Sequence, residues 1–199
     1  MRKIVVVTGA ASGIGQAIAW RAALDGHIII AVDIQEPDDT IEIISNDGFK
    51  AAPFLCDLRD KKSVEGLFAW VRKTYGAVDI LVNILSELAF IATQGAAVYC
   101  ASKAAVVQLT RALAVEEPKY GIRINSVCPG PVDTGMLKPT FGTTPDGVES
   151  EILAATTPTV LQRLGTSKEI AEVVWFTASE GASFMVGSAL IVDGGAMAV

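Results

Sequence analysis

The sequence predicts an α/β fold built on a parallel sheet, in a single domain over residues 1–199, and three observations carry that expectation. Short apolar runs alternate with segments of helical period, the pattern of strand–helix–strand units. The chain is 51% apolar, 19% charged and 7% aromatic, which suits Ala-, Val-, Ile- and Leu-rich strands buried under helices. Its 199 residues are enough for one sizeable core.

In chain order, the runs at 4–7, 28–32, 52–55, 80–85, 122–127 and 189–192 read as strands. Met1-Arg2-Lys3 before the first run imitates a secretion signal, but the run stops at Thr8-Gly9, far short of a signal's apolar core. Helical faces show at Ile14, Ala17 and Ile18, and at Val64, Leu67, Phe68 and Val71. Two more lie at Val106, Leu109 and Leu113, and at Ile170, Val173 and Val174. Thr166 with Glu169 forms a capping box for the last helix, and Asp60 is placed to cap the helix beginning near Ser63. Residues 131–165 are rich in Pro, Gly and Thr without clear period, and predict a long mobile loop or lid.

A net charge of −6 and the lack of any basic run weigh against nucleic acid or an anionic membrane as partner. No apolar stretch reaches the roughly 18 residues that a membrane-spanning helix needs. Cys56, Cys100 and Cys128 are odd in number, widely spaced and free of any metal-type pairing, which predicts a reduced cytoplasmic protein without a metal. His27, the sole histidine, follows Asp25-Gly26 at a strand start and reads as a surface residue. A Ser-His-Asp hydrolase would have to use it, which weighs against that class.

Val5-Val6-Val7-Thr8-Gly9-Ala10-Ala11-Ser12-Gly13-Ile14-Gly15 is a strand, a glycine turn and a helix start in succession. The glycines permit a tight turn and the approach of a pyrophosphate, whose oxygens the N–H groups of a helix N-terminus favour. Asp33 ends the next strand 18 residues after Gly15, near where a ribose-binding carboxylate belongs. Such a carboxylate accepts from ribose hydroxyls and repels a 2′-phosphate, which predicts NAD rather than NADP. Its plainer role is a strand-end turn former.

Tyr99 and Lys103 stand four residues apart, so a helix sets both on one face. A phenol of pKa near 10 is only about 0.1% ionised at neutral pH. An ammonium about 4 Å away supplies roughly 4 kcal/mol at an effective dielectric of 20, or about three pKa units. That brings the phenol into the range of acid–base catalysis. Two surface neighbours at helical spacing are the commoner meaning of such a pair. Cys100 and Ser102 between them read as small packing residues.

With these features in order, together with Asp57, Ser86 and Asn125-Ser126-Val127-Cys128-Pro129-Gly130, residues 4–195 resemble the short-chain dehydrogenases/reductases. The resemblance implies a Rossmann-like doubly wound parallel sheet with helices on both faces, assembled as a homo-tetramer or dimer. It implies that Thr8, Gly9, Ser12, Gly13, Ile14 and Gly15 line the cofactor phosphates and ribose. By the same resemblance Asp33, with Ile34, selects the cofactor, Asp57 with Leu58 sits at the adenine, and Asn83 belongs to the cofactor site. Asp57 could equally cap the turn that follows it.

Ser86, 13 residues before Tyr99, resembles the serine that hydrogen-bonds the substrate oxygen. A buried strand-end hydroxyl bonded to nearby backbone is its plainer reading. Tyr99 resembles the acid/base, and Lys103 the residue that holds the nicotinamide ribose and lowers the tyrosine pKa. Pro129, Gly130, Val132 and Thr134 resemble the stretch that braces the nicotinamide. The implied activity is NAD-dependent hydride transfer with a small secondary alcohol or ketone. The alternatives are an NADPH-dependent 3-oxoacyl thioester reductase and a catalytically silent dinucleotide-binding or assembly subunit.

The sequence departs from the family at one place. There a fourth strand ends in Asn-Asn-Ala-Gly, a long helix crosses over, and a fifth strand ends at the serine. Here only Ile84 and Leu85 separate Asn83 from Ser86, whereas a parallel crossover needs a dozen residues or more. One strand stands where the family has two. The absent helix carries the family's catalytic asparagine and half of its main dimer interface. An internal deletion, or a segment missing from the recorded sequence, would each produce this, and deletion predicts a gap in the sheet.

Overall fold

A computed structural model describes residues 2–116, 119, 121–135 and 159–198. The chain divides into two compact units, Met1–Asn83 and Ile84–Val199.

The first unit alternates strand and helix: β1 (Ile4–Thr8), α1 (Gly13–Leu24), β2 (Ile28–Asp33), α2 (Asp38–Asn46), β3 (Lys50–Leu55), α3 (Lys61–Tyr75) and β4 (Ile80–Val82). All pairings are parallel, in the order β3-β2-β1-β4. Every residue of β1 is buried, as a central strand of a covered parallel sheet requires. The chain leaves β1 for β2 on one side and returns to β4 on the other. The carboxyl end of β1 is therefore a topological switch point, where open α/β sheets bind ligands.

Ile4, Val6, Ile30, Val32, Cys56, Leu67 and Val71 form the core on the α3 side, with Phe54, Trp70 and Tyr75 packed against it. Asp60 caps α3 by accepting from Lys62 N and Ser63 N. Helix α2 has no counterpart in the sequence reading, because it buries only Thr40 and Ile44, too narrow a stripe to show a period. His27 is half-buried rather than a plain surface residue, and its Nδ1 accepts from Lys3 N at 3.2 Å.

The second unit begins with a 3-10 turn, Glu87–Ala89, followed by α4 (Ala97–Glu116), β5 (Ser126–Pro129), α5 (Ser167–Ala178) and β6 (Ala189–Val192). Strand β6 pairs parallel with β5 in a sheet of two. Leu85, Val107 and Cys128 are its small buried core, joined by Ala89, Val106 and Ala189. The expected capping box is present: Thr166 Oγ1 accepts from Glu169 N while Glu169 accepts from Thr166 N. Arg163 doubles the grip with two bonds to the same carboxylate, at 2.6 and 3.0 Å.

Two strands are shorter or later than expected, each for a visible reason. The run 80–85 is strand only to Val82, since β1 offers three partners and Val82 O turns instead to the Thr8 hydroxyl at 3.1 Å. The run 122–127 becomes strand only at Ser126, because Arg123 and Asn125 are engaged elsewhere. Arg123 donates to Thr177 O, Ser179 O and Ala182 O at the carboxyl end of α5, where a cation is favoured. Asn125 bonds Met185 O and Ser188 N as a backbone would. On α4 the buried line is Val107, Thr110 and Ala114, while Leu109 is exposed. The two ends of the expected 131–165 loop meet in a bridge between Val132 and Gly165, and 136–158 lie outside the described residues.

One carboxylate in this unit is costly. Glu87 is buried, with Oε2 lacking any hydrogen-bond partner. Burial, and secondarily the charge of Asp193, raise its pKa from 4.5 to about 7. Between those values the unfolded chain has released this proton while the folded one keeps it, so stability falls as pH rises through the window and levels off above it. Thermal melts should show Glu87→Gln flattening that slope relative to the wild type between pH 4.5 and 7. Parallel slopes would contradict the assignment.

Candidate active site

The first unit carries the glycine turn. Gly9 and Gly13 lie at φ +68° and +57°, a left-handed conformation that glycine adopts without strain. A β-carbon on Gly15 would overlap the Gly9 carbonyl, so the start of α1 backs directly onto the end of β1. Ser12 occupies the N-cap without a side-chain cap bond, leaving helix-start N–H groups for another acceptor. Thr8 is buried, and its hydroxyl lies 3.1 Å from Val82 O and 3.3 Å from Asn83 Oδ1, tying the turn to the end of β4.

Asp33 stands beside this turn and is already engaged. Its Oδ2 accepts from Ala11 N at 3.0 Å, and its Oδ1 from Ile34 N and Gln35 N at 2.7 and 3.3 Å. A carboxylate has about four lone-pair sites, so an acceptor remains for a hydroxyl. The turn-forming role and a ribose-binding role are thus compatible. A glycine cradle that a β-carbon would fill, N–H groups at a helix start, and a carboxylate with a spare lone pair fit a dinucleotide.

Asp57 caps the turn after β3 through Arg59 N at 2.9 Å. It also pairs with the Arg59 guanidinium, whose hydrogen bonds lower its pKa to about 2. Ile34 and Leu58 are exposed.

In the second unit, helix α4 brings Tyr99 and Lys103 together. The Lys103 ammonium sits 5.4 Å from the centroid of the Tyr99 ring, and burial lowers its pKa. It also donates to Ile84 O at 3.2 Å. Tyr99 keeps a partly exposed ring. Ser86 is buried and caps the 3-10 turn, its Oγ accepting from Leu88 N at 3.2 Å. The serine's own O–H proton remains available to a second acceptor.

Pro129 ends β5, and Gly130 N continues its ladder to Val192 O at 3.0 Å. A β-carbon on Gly130 would approach Asp193 Cα to 2.6 Å and Glu87 Oε2 to 2.8 Å, which makes glycine obligatory there. Val132 is buried at the bridge to Gly165, and Thr134 is half-buried just beyond it. Sequence reasoning missed Glu87 and Thr40, neither of which carries a signal in spacing or periodicity. No cluster of three metal-ligating side chains occurs among the described residues, and no described helix is long and apolar enough to cross a membrane.

Two family models match. One described as short chain dehydrogenase covers residues 3–84, and one described as Enoyl-(Acyl carrier protein) reductase covers 81–197. They meet where the crossover is missing. An uncharacterised oxidoreductase of Thermotoga maritima is 31% identical over 250 positions, covering 99% of this chain and 98% of its own. Since this chain has 199 residues, that relative carries a segment absent here. Meso-2,3-butanediol dehydrogenase of Serratia marcescens is also 31% identical, with 98% and 95% covered. The solved structure of an actinorhodin polyketide ketoreductase with NADPH superposes with a TM-score of 0.87 at 26% identity, over 97% and 96% of the two chains. With a glycine turn at the switch point of one unit and a tyrosine–lysine pair on the helix of the other, the chain belongs to the short-chain dehydrogenase/reductase family, oxidoreductases that use nicotinamide cofactors on alcohols and ketones.

Proposed function

We propose that the protein is an NAD-dependent dehydrogenase of a small secondary alcohol or ketone, working through Ser86, Tyr99 and Lys103. The observation that carries this reading is the ammonium of Lys103 over the Tyr99 ring. Tyr99 takes the alcohol proton as a general base, and a positive charge at that place offsets the negative charge that develops on its oxygen as the proton moves. Ser86 directs its free O–H to the substrate oxygen. A bound nicotinamide supplies the hydride acceptor. Thr8, Gly9, Ser12, Gly13, Ile14 and Gly15 cradle the phosphates, with Asp57 and Leu58 at the adenine and Asn83 at the end of β4. Pro129, Gly130, Val132 and Thr134 support the nicotinamide end.

NAD is preferred over NADP on two grounds. Asp33 repels a 2′-phosphate, and no Lys, Arg or His occurs between Asp33 and Lys50 to neutralise one. The same two features weigh against the NADPH-dependent thioester reductase. Cys56, Cys100 and Cys128 are free thiols, in keeping with a cytoplasmic protein. Val98 and Val115 on α4, with Phe184, expose apolar surface that suits a homo-oligomer. The missing crossover favours one rival, a subunit that binds the dinucleotide without turnover.

A panel of secondary alcohols with NAD separates the two. The enzyme reading predicts NADH production that falls about 100-fold or more in Tyr99→Phe. NADH binding without turnover of any alcohol would instead establish the silent subunit. Lys103→Ala should move the activity profile to higher pH and weaken NAD binding, and neither change appearing would refute the pairing. Asp33→Ala should lower the NAD-to-NADP ratio of kcat/KM by about tenfold, or ~1.4 kcal/mol. An unchanged ratio would remove Asp33 from cofactor selection.

A further inference from the structure

The Ala10–Ala11 peptide inside the glycine turn is gripped from both sides. Thr40, fully buried in α2, donates its hydroxyl to Ala10 O at 2.6 Å. Gln16 of α1 donates from Nε2 to Thr40 Oγ1 at 3.0 Å, which points the hydroxyl's own proton at that carbonyl. Across the same peptide plane Ala11 N is held by Asp33 Oδ2 at 3.0 Å, and one residue earlier Ala10 N bonds Val32 O at 3.1 Å. A trans peptide is planar, so fixing its carbonyl and its N–H together removes its freedom to rotate.

Ser12, Gly13 and Ile14 follow directly, so that plane anchors the start of the segment that carries their N–H groups. We infer that Thr40 is a positioning residue: through Ala10 its hydroxyl preforms the phosphate-binding turn, so that binding need not order it. The inference rests on the dinucleotide reading of residues 8–15. Thr40 itself is sealed from any ligand, so its influence passes entirely through the backbone. A preformed turn raises affinity by reducing the ordering that binding would otherwise require. Gln16 acts one step further back, as the residue that orients the hydroxyl.

Thr40→Val keeps the branched shape, deletes the donor and leaves Ala10 O buried without it. Two readouts on the full chain test the idea: amide hydrogen exchange over 11–14 without nucleotide, and NADH affinity by fluorescence titration. Thr40→Val should speed the exchange and weaken NADH binding about fivefold, the loss of one net hydrogen bond, while Thr40→Ser stays near wild type. A folded Thr40→Val with unchanged exchange, or with unchanged affinity, overturns the inference. A merely structural threonine would lower the melting temperature and leave the affinity of the folded protein alone. If Thr40→Val does not fold, Gln16→Ala takes its place, with the same two shifts expected and their absence equally decisive. Failure of the dinucleotide reading looks different, because then the wild type itself binds no NADH.

Discussion

Helix α1 begins where it does because Gly15 has no side chain. Its Cα rests against the Gly9 carbonyl, and any β-carbon would drive the helix away from the strand. That contact compresses the turn between β1 and α1, and the positive φ angles of Gly9 and Gly13 let the chain follow it. The unsatisfied N–H groups of the helix start are then presented at the carboxyl end of the central strand. Around this point the neighbouring elements add their grips: the Val32 carbonyl, the Asp33 carboxylate, the Thr8 and Thr40 hydroxyls. The rigidity of the turn is a property of three strands and two helices, all built before any ligand arrives.

The second unit ties its short sheet to its surroundings largely through side chains. A two-stranded sheet is marginal by itself. Around β5 and β6, side chains add bonds to the backbone ladder. Asn125 bonds two backbone groups of the segment leading to β6, and Arg123 fixes the carboxyl end of α5 to the same region. Ser126 adds a buried hydroxyl pair with Thr110 of α4. The Ile84 carbonyl receives the Lys103 ammonium. An ammonium held by a backbone oxygen in this way has less freedom to swing from the Tyr99 ring.

Much of this was legible in the sequence wherever a local pattern coincides with a local cause. The apolar runs gave β1, β2 and β3, since buried parallel strands show as continuous Val/Ile stretches. The caps at Asp60 and Thr166–Glu169 are where the spacing put them, because capping involves only neighbours along the chain. The i, i+4 spacing placed Lys103 over Tyr99 for the same reason. What stayed hidden depends on partners far away in sequence. Strand β4 is cut short by the reach of β1, β5 starts late because of Arg123 and Asn125, and Glu87 lies close to Gly130 and feels the charge of Asp193. Helix α2 escaped because two buried residues make no stripe, although one of them, Thr40, reaches the turn itself.

A dinucleotide seat at residues 8–15, as proposed above, requires that the folded chain bind NAD. Calorimetric titration of the full chain with NAD tests it most directly, since it requires neither a known substrate nor turnover. One saturable site per chain, competed by NADH, is the predicted result. Absence of heat with NAD and NADP alike, from folded protein titrated to millimolar nucleotide, would contradict it.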